Sequence, residues 1–181
     1  LRNFVAQIEA GGRRAAELCQ QMLAYAGRGR FDVHASAIND IVRDTLPLLE
    51  VSIPKKITLM LNLPDALPAV EVDATQIRQI VMNLVTNASD AIGTKAGRIA
   101  VTTGIVHADL AYLAQTYLSP ALPEGRYVFM EVSDSGEGMT PEVQKKIFDP
   151  FFTTKFAGRG LGLAAVLGIV RAHHGALKVY S

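Results

Sequence analysis

Residues 132–163 read VSDSGEGMTPEVQKKIFDPFFTTKFAGRGLGL, and this stretch decides how the whole chain is interpreted. A strand-like run ends in the turn Asp134–Met139, the aromatic segment Phe148–Lys155 follows, and the loop Gly158–Leu163 opens a helix-like run. Glycines permit positive φ and close approach of the backbone, and free N–H groups at a helix start attract phosphate. The stretch therefore predicts a pocket for a phosphate-bearing ligand.

A pair of asparagines lies upstream, on a long helix predicted for Ala74–Ile92 with Asp73 as its N-cap and Gly93 as its terminator. Asn83 and Asn87 lie one turn apart, and a carboxamide oxygen suits a magnesium ion that also holds phosphates. Alone, such a pair is more often exposed or capping; the later segments favour a magnesium–nucleotide site. The face predicted to be buried consists of Ile77, Ile80, Val81, Leu84 and Ala88.

Each later segment has a specific and a plainer interpretation. A buried Asp134 carboxylate could accept a hydrogen bond from an adenine amine, or simply end a strand. The hydroxyls of Thr153 and Thr154 and the ammonium of Lys155 could face phosphate, or belong to a hydrophobic loop with a solvated lysine. Arg159 could add a charge-assisted contact, or lie in a flexible hinge. Only the four segments in order favour the specific interpretation.

Composition narrows the class of protein. The chain has 181 residues, of which 49% are hydrophobic and 19% charged, with a net charge of +1. These values are ordinary for a folded domain and predict neither a nucleic-acid groove nor a membrane contact. The longest apolar run, Leu161–Val170, is too short to cross a bilayer. A single cysteine, Cys19, excludes an internal disulfide and suits a reducing compartment such as the cytoplasm.

The N-terminal segment Leu1–Ala26 shows a heptad pattern of apolar residues, which predicts a helix with one seam. Gly11 and Gly12 weaken it. The seam favours packing on a helix of another chain, with packing on the chain's own core as the alternative. The start at Leu1 and the stop at Ser181, inside a strand-like run, suggest a part of a longer protein.

The remaining segments alternate between helical and strand-like patterns. Amphipathic helices are predicted for Ser36–Leu49, for Pro141–Ile147 after a Thr140 cap, and for Leu161–His173. Strands are predicted for Ile57–Leu63, Arg98–Val106, Tyr127–Ser133 and Ala176–Tyr180, with an irregular excursion over His107–Gly125. This order indicates an α+β fold, a two-layer α/β sandwich whose mixed sheet carries helices on one face.

Taken together, the four segments resemble the catalytic ATP-binding domain of sensor histidine kinases, within the superfamily shared with gyrase-type topoisomerases and heat-shock chaperones. The resemblance implies a Bergerat-type ATP-binding fold over residues 31–181. It makes residues 1–30 the second helix of a dimerisation and phosphotransfer hairpin, with a linker. The sequence FFTTK at residues 151–155 is similar to that of the nitrogen-regulation-like subgroup.

The resemblance also implies the site. Asn83 and Asn87 form the N box, with Asn87 as the direct Mg²⁺ ligand, and the first glycine box surrounds adenine. The second glycine box lies under the triphosphate. The residues implied to contact ATP or its magnesium ion are Asn83, Asn87, Asp90, Asp134, Gly136, Gly138, Met139, Phe148, Thr153, Thr154, Lys155, Gly158, Arg159, Gly160, Leu161 and Gly162. Residues 139–159 are expected to form a mobile lid.

One departure concerns the phosphoacceptor. None of the histidines His34, His107, His173 and His174 stands in the family's acceptor motif, so all four are expected to be structural or solvated. The last two are expected at a helix end, where cations suit the dipole. The resemblance places the acceptor histidine on a helix upstream of Leu1 and a final strand after Ser181. No residue of this chain is assigned a catalytic acid–base role.

The implied activity is transfer of the ATP γ-phosphoryl group to that histidine, for relay to a response-regulator aspartate. The intact protein would be a homodimer through the N-terminal helix, in the cytoplasm or as the cytoplasmic part of a membrane-bound sensor. Hydrolytic relatives carry a glutamate where this chain has Asn83, and an amide cannot act as a general base. A hydrolytic ATPase and a non-catalytic nucleotide-binding module remain the alternatives.

Overall fold

The structure is a computed structural model that describes Gly12 and residues 32–117, 122–155 and 160–181. The predicted N-terminal helix therefore lies outside the described residues apart from Gly12, as do Gly158 and Arg159. The strands are β1 (His34–Ser36), β2 (Ile57–Asn62), β3 (Val70–Val72), β4 (Gly97–Ala108) and β5 (Gly125–Asp134). The helices are α1 (Ile38–Ser52), α2 (Ala74–Ile92), α3 (Leu110–Leu113), α4 (Pro141–Gln144) and α5 (Gly162–Ala172).

The main sheet has the order β2-β4-β5 and is mixed, as the sequence predicts. β2 runs parallel to β4, with Ile57 opposite Gly97. β5 runs antiparallel to β4, with Ile99 opposite Asp134. The strands β1 and β3 form a separate antiparallel pair. Asp134 therefore stands where β5 leaves the sheet, directly before the glycine-containing turn.

Helix α2 begins and ends where its sequence signals lie. The Asp73 carboxylate accepts hydrogen bonds from the N–H groups of Thr75 and Gln76, which satisfies two orphan donors of the first turn. At the other end Gly93 has a φ of 65°, and its N–H donates to the carbonyl of Ser89. These caps fix the register of α2, and with it the positions of Asn83 and Asn87.

Helices lie on one face of the sheet, which confirms the two-layer arrangement. The fully buried residues between the layers are Val42 and Leu49 of α1, Val81 and Val85 of α2, Ile99 and Val101 of β4, and Ile169 of α5. The opposite face is more open, and Met60 on it is 44% exposed. A side chain at Gly104 would collide with the ring of Phe129, so the glycine lets this ring lie across the outer face of β4.

Several boundaries differ from the sequence predictions. Ser36 belongs to β1, and α1 begins at Ile38 and continues past Pro47 to Ser52. Helix α4 ends at Gln144, and α5 is one residue shorter at each end than predicted. The excursion after β4 contains the single turn α3. Leu84 is only half-buried, whereas Val85 is fully buried, because the core-facing stripe of α2 is rotated by one residue there.

The predicted strand Ala176–Tyr180 is wrong for the described residues, since this segment joins no ladder. Its attachments are single contacts. The N–H of Tyr117 donates to the carbonyl of Leu177 at 2.8 Å, and the N–H of Met139 donates to Ser181 Oγ at 2.6 Å. An apolar, β-prone pattern is therefore satisfied here by contacts with the α3 excursion and the glycine turn rather than by strand pairing.

Candidate functional site

The asparagine pair is carried by the middle of α2, beside the start of α5. Asn83 and Asn87 are both half-buried, one turn apart. Asn83 Nδ2 donates to the carbonyl of Gly162 at 3.3 Å. A Cβ built on Gly162 would lie 3.7 Å from Asn83 Oδ1 and 3.7 Å from Asn87 Nδ2. The first turn of α5 therefore lies directly over both amides.

Lys155, at the end of the aromatic segment, reaches the same place. Its Nζ lies 2.8 Å from Asp90 Oδ2 and 3.5 Å from Asn87 Oδ1. The lysine and aspartate side chains are 37% and 50% exposed, so the ion pair faces solvent. The lysine ammonium therefore lies between an amide oxygen and a carboxylate oxygen, and oxygens of these two kinds are the ligands that Mg²⁺ takes in proteins.

The first glycine box adjoins the C-terminal end of α2. Ser135 exchanges backbone and side-chain hydrogen bonds with Arg98, which extends the β4–β5 pairing into the turn. A Cβ on Gly136 would lie 2.8 Å from the backbone carbon of Ala91, so only glycine fits against the helix. Ala91 lies one turn beyond Asn87, and the turn therefore borders the asparagine pair.

Asp134 is exposed, contrary to the buried carboxylate expected from the sequence. Its Oδ1 accepts a hydrogen bond from the N–H of Gly136 at 2.7 Å. This local turn bond satisfies the carboxylate at the surface, so burial is not needed to fix its position. The side chain is accessible to a ligand that lies over the turn.

The aromatic segment is clamped to the second glycine box through its backbone. The N–H of Phe151 donates to the carbonyl of Gly160 at 2.9 Å. Gly160 has a φ of +64°, and a Cβ there would lie 2.4 Å from the backbone carbon of Phe151 and 2.4 Å from the carbonyl oxygen of Phe152. Phe151 itself has a φ of 69° and is 62% exposed, so its ring does not fasten the segment to the core. Leu161, which follows, is buried.

Phe148 is anchored by Tyr117, a residue that belongs to none of the four motif segments. Its ring meets that of Tyr117 edge to face, with the centroids 5.0 Å apart. Tyr117 also donates its hydroxyl to the carbonyl of Gln144 at 3.3 Å. The α3 excursion therefore supports the segment after the glycine turn. No sequence pattern around Tyr117 predicts its contact with Phe148, which lies 31 residues later.

Besides Asp134, Gly160 and Leu161, several further candidate residues have their described contacts away from the asparagine pair. Gly138 and Met139 lie at Ser181, and Phe148 lies at Tyr117. Thr153 and Thr154 are exposed, and Thr153 Oγ1 accepts only from the nearby N–H of Lys155 among the bonds described. The structure thus brings together the N box, Lys155 and Gly162, with Gly136 alongside.

The histidines are structural or solvent-exposed, as expected. His34, His107 and His174 are exposed, and His34 lies 2.7 Å from Asp32. His173 accepts a hydrogen bond from the N–H of Asp73 through Nε2 at 3.0 Å. This ring therefore makes a structural contact between the residues that flank α2 and α5.

Charge on the α4 side of the site follows from its helix start. Thr140 caps the helix, and a carboxylate stands in the first turn at Glu142. Hydrogen bonds from the residue's own backbone and from Thr140 hold the pKa of the Glu142 carboxyl below its ordinary value.

In the part of the chain that the structure describes, no group of three His, Cys, Asp or Glu residues could hold a metal ion.

This fold and this arrangement define the class of protein. Residues 72–181 match the family described as histidine kinase-, DNA gyrase B- and HSP90-like ATPases, and the chain belongs to this family. The match begins at the last residue of β3 and includes all four motif segments. Within the family, the resemblance to the catalytic ATP-binding domain of sensor histidine kinases is confirmed by the relatives below.

Two curated relatives are sensor kinases. The chain is 37% identical over 170 residues to the sensor kinase CckA of Brucella abortus (strain 2308), covering 92% of this chain and 18% of CckA. It is 30% identical over 166 residues to the sensory histidine kinase/phosphatase NtrB of Rhizobium meliloti (strain 1021), covering 91% of this chain and 42% of NtrB. The chain thus spans less than half the length of either relative. The similarity to NtrB agrees with the predicted subgroup.

Two solved structures are similar throughout most of the chain. Full-length ShkA, in complex with AMPPNP, has a TM-score of 0.66 and 25% identity, covering 94% of this chain and 34% of that one. Histidine kinase ThkA, in complex with the response regulator protein TrrA, has a TM-score of 0.62 and 28% identity, covering 95% and 44%. These likenesses confirm the predicted fold class. Within the described residues, no helix has both the length and the apolar character needed to cross a membrane.

Proposed function

We propose that this chain is the catalytic part of a sensor histidine kinase, which binds Mg-ATP and transfers the γ-phosphoryl group to a histidine on a dimerisation helix. One observation carries the proposal. Asn83, Asn87, Lys155 and the first turn of α5 converge on one place, in a chain whose family is that of the histidine kinase-like ATPases.

The metal side of the site consists of oxygen donors on α2. Asn87 Oδ1 would hold Mg²⁺, with the Asp90 carboxylate one turn away to orient its bound water. The fit is supported by the Lys155 ammonium, a cation already held by these two oxygens. Bound magnesium would neutralise phosphate charge during transfer.

The phosphate side consists of donors that the fold aims at the same point. Helix α5 presents the unpaired N–H groups of its first turn, beginning after Leu161. Lys155 can turn from Asp90 toward phosphate, and the exposed hydroxyls of Thr153 and Thr154 lie on the same segment. Gly158 and Arg159 are assigned here from the motif alone, since they lie outside the described residues. Together these groups would position the triphosphate in line with its acceptor.

The adenine side is assigned to the first glycine box. Asp134 is accessible at the strand end and can accept a hydrogen bond from the exocyclic amine of the base. Gly136 keeps the turn against α2, and Gly138, with a φ of 71°, continues it toward Met139. The base would therefore lie over the end of α2, one turn beyond the metal ligand.

Phosphoryl transfer is favoured over ATP hydrolysis by the chemical nature of Asn83, whose side chain is an amide, and by its hydrogen bond. Its amide donates to the Gly162 carbonyl, which makes it a tie between α2 and α5. An amide accepts no proton from water at neutral pH, so it cannot serve as general base. A histidine nucleophile needs little activation, because neutral imidazole carries a free electron pair. Catalysis would then consist of positioning and charge stabilisation.

The partners follow from the division of the chain. Residues 1–30 would form one helix of the dimerisation hairpin and the linker, and residues 31–181 the catalytic domain. The intact protein would be a homodimer that phosphorylates its own acceptor helix and passes the phosphoryl group to a response-regulator receiver domain. The ThkA complex with TrrA supports the second step by similarity. A cytoplasmic location fits the single cysteine and the ATP requirement.

Nucleotide binding is tested by titration calorimetry of the 181-residue chain with Mg-ATP. Wild type should bind, and Asn87→Ala and Asp134→Ala should each lose roughly 10- to 150-fold in affinity, because each removes a contact to a charged or polar ligand group. Thr102→Ala, on the outer face of β4, serves as the control and should bind like wild type. Unchanged affinity in both site variants would contradict the assigned site.

Phosphoryl transfer is tested by incubation with γ-labelled ATP and a histidine-bearing dimerisation hairpin. A label on the hairpin that is lost in acid and retained in base identifies phosphohistidine. Steady release of inorganic phosphate without labelled hairpin would establish the hydrolytic alternative instead. Binding with neither product would establish a non-catalytic module.

A further inference from the structure

Helix α5 is hydrogen-bonded to α2 near both of its own ends, and only one of these contacts belongs to the nucleotide site. At that site Asn83 bonds to Gly162, the first residue of α5. At the other end His173, which follows α5, bonds to Asp73, which precedes α2. The two helices therefore run antiparallel over about 15 Å, the length of ten helical residues.

The hydrogen bond between Asp73 and His173 determines which ring nitrogen of His173 carries a proton. The N–H of Asp73 can only donate, so His173 Nε2 is the acceptor in this 3.0 Å bond. The remaining ring proton is on Nδ1, which lies 2.9 Å from the carbonyl of Ile169 and donates to it. Both ring nitrogens are thus fixed by backbone groups, one from each helix.

Asp73 brings a third chain segment to the same point. One carboxylate oxygen caps α2 through the N–H groups of Thr75 and Gln76. The other accepts the N–H of Asp32 at 3.1 Å. Asp73 is only 8% exposed, so its carboxylate is largely removed from water while the bonds it makes are partly buried. A single buried residue therefore joins the backbone at Asp32, the start of α2 and the end of α5.

We propose that Asp73 and His173 are positioning residues that couple the backbone at Asp32 to the nucleotide site. The proposal rests on the proposed function, because it concerns the same pair of helices. Asp32 follows the predicted linker to the dimerisation helix. A displacement of the backbone at Asp32 moves Asp73 and, through its bonds, both helices. Each helix moves as a rigid unit, so the displacement reaches the Asn83–Gly162 contact. Nucleotide binding and the position of the linker then favour each other reciprocally.

The first test needs no variant. Amide hydrogen exchange is followed in the wild-type chain with and without Mg-AMPPNP. The nucleotide should slow exchange at Asp73 and Asp32 by about 5-fold or more, although both lie at the far end of the helices. Slowed exchange around Asn87 and Gly162 with no change at Asp32 or Asp73 would overturn the coupling alone. Absence of any nucleotide binding would overturn the coupling and the proposed function together.

The second test separates two hydrogen bonds, the one that His173 accepts from Asp73 and the one that Asp73 accepts from Asp32. His173→Phe keeps a planar ring but removes the acceptor, while His173→Gln restores an acceptor and a donor at similar reach. Asp73→Asn keeps a good N-cap for α2 but replaces the oxygen that binds Asp32. His173→Phe should weaken Mg-AMPPNP binding about 5-fold or more, and His173→Gln should recover most of it.

Asp73→Asn should bind nucleotide but lose the nucleotide-dependent protection at Asp32, which a merely structural cap would not affect. His174→Asn, at the exposed neighbouring position, is the matched control and should behave like wild type. Circular dichroism confirms that each variant is folded before its affinity is compared. Wild-type affinity in folded His173→Phe, or unchanged protection at Asp32 in Asp73→Asn, would overturn the proposal.

Discussion

The two sides of the candidate site are held in different ways. On the α2 side, the asparagines stand on a helix that is capped at both ends and packed through Val81 and Val85, which are fully buried. On the flap side, residues 134–155 and Gly160 are held by isolated contacts: single hydrogen bonds, the ring contact of Phe148 and the exposed ion pair of Lys155. On this side Gly136 and Gly160 lie too close to neighbouring backbone for a Cβ to fit without a shift. Phe151 even exposes its ring while its backbone takes a left-handed conformation.

The difference shows which part of the site is preorganised. A helix fixed by a packed core keeps its amide oxygens in place before any ligand arrives, so the metal and phosphate end costs little to order. The flap side has few buried contacts, and such regions open locally at low free energy. Mutations on the two sides should therefore divide between stability and ligand affinity.

The largest expected effect is on the packed side. Ile169 on α5 is fully buried, and Ile169→Ala should lower the free energy of unfolding by about 2–5 kcal/mol, because it leaves a cavity beneath the helix. Urea denaturation followed by circular dichroism measures this. Val51→Ala, at a position that is 89% exposed, is the control and should change little. A loss below about 1 kcal/mol for Ile169→Ala would remove the distinction between the two sides.

The next effect should fall on ligand affinity. In Gly160→Ala, the new Cβ would lie 2.4 Å from the backbone of Phe151, so the clamp between the glycine loop and the aromatic segment must shift. Affinity for Mg-AMPPNP should fall roughly tenfold, which corresponds to about 1.4 kcal/mol. The unfolding free energy should change less than in Ile169→Ala. Gly125→Ala, with no atom within 4 Å of the new Cβ, is the matched control, and equal affinity in both variants would contradict the clamp.

A smaller, stabilising effect is expected where α5 ends. The N–H of His174 donates to Arg171 and that of Gly175 to Val170, the two bonds of a Schellman motif, and His174 has a φ of 51°. Glycine suits this position better than histidine, so His174→Gly should raise the unfolding free energy by about 1 kcal/mol. His174→Ala retains a Cβ and should bring no such gain. Thermal and urea unfolding measure the difference, and a destabilised glycine variant would contradict the argument.

The smallest effect concerns pH. The pKa of the Glu142 carboxyl is lowered by hydrogen bonds from its own backbone and from Thr140. The carboxylate therefore supports the start of α4 above the ordinary glutamate pKa, and this support is lost as the pH falls through the lowered value. The amide chemical shifts of residues 142–144 should titrate below the ordinary glutamate range, and Glu142→Gln should abolish that step. Titration at or above the ordinary value would disprove the interaction.

Sequence patterns predicted the secondary structure well where local signals specify it. Asp73 and Gly93 mark the ends of α2, so the positions of Asn83 and Asn87 followed directly. The central strands were predicted because alternating burial is a short-range pattern. The three-residue strands β1 and β3 were missed, since so short a segment carries little periodicity.

Contacts between residues distant in sequence could not be predicted. The bond between His173 and Asp73 joins positions 100 residues apart, and no local pattern reports it. Tyr117 could not be linked to Phe148 for the same reason. Asp134 was expected to be buried, but a bond from the N–H of Gly136, two residues later, satisfies it at the surface.

The position of Lys155 has a consequence for how a ligand would enter. Its ammonium lies against Asn87 Oδ1 and Asp90 Oδ2, the two oxygens that would hold or orient Mg²⁺ under the proposed function. A magnesium ion would take this place only after the lysine moved away, and the ammonium would then be available to an incoming phosphate. Entry of the metal would therefore be coupled to a movement at the end of the aromatic segment.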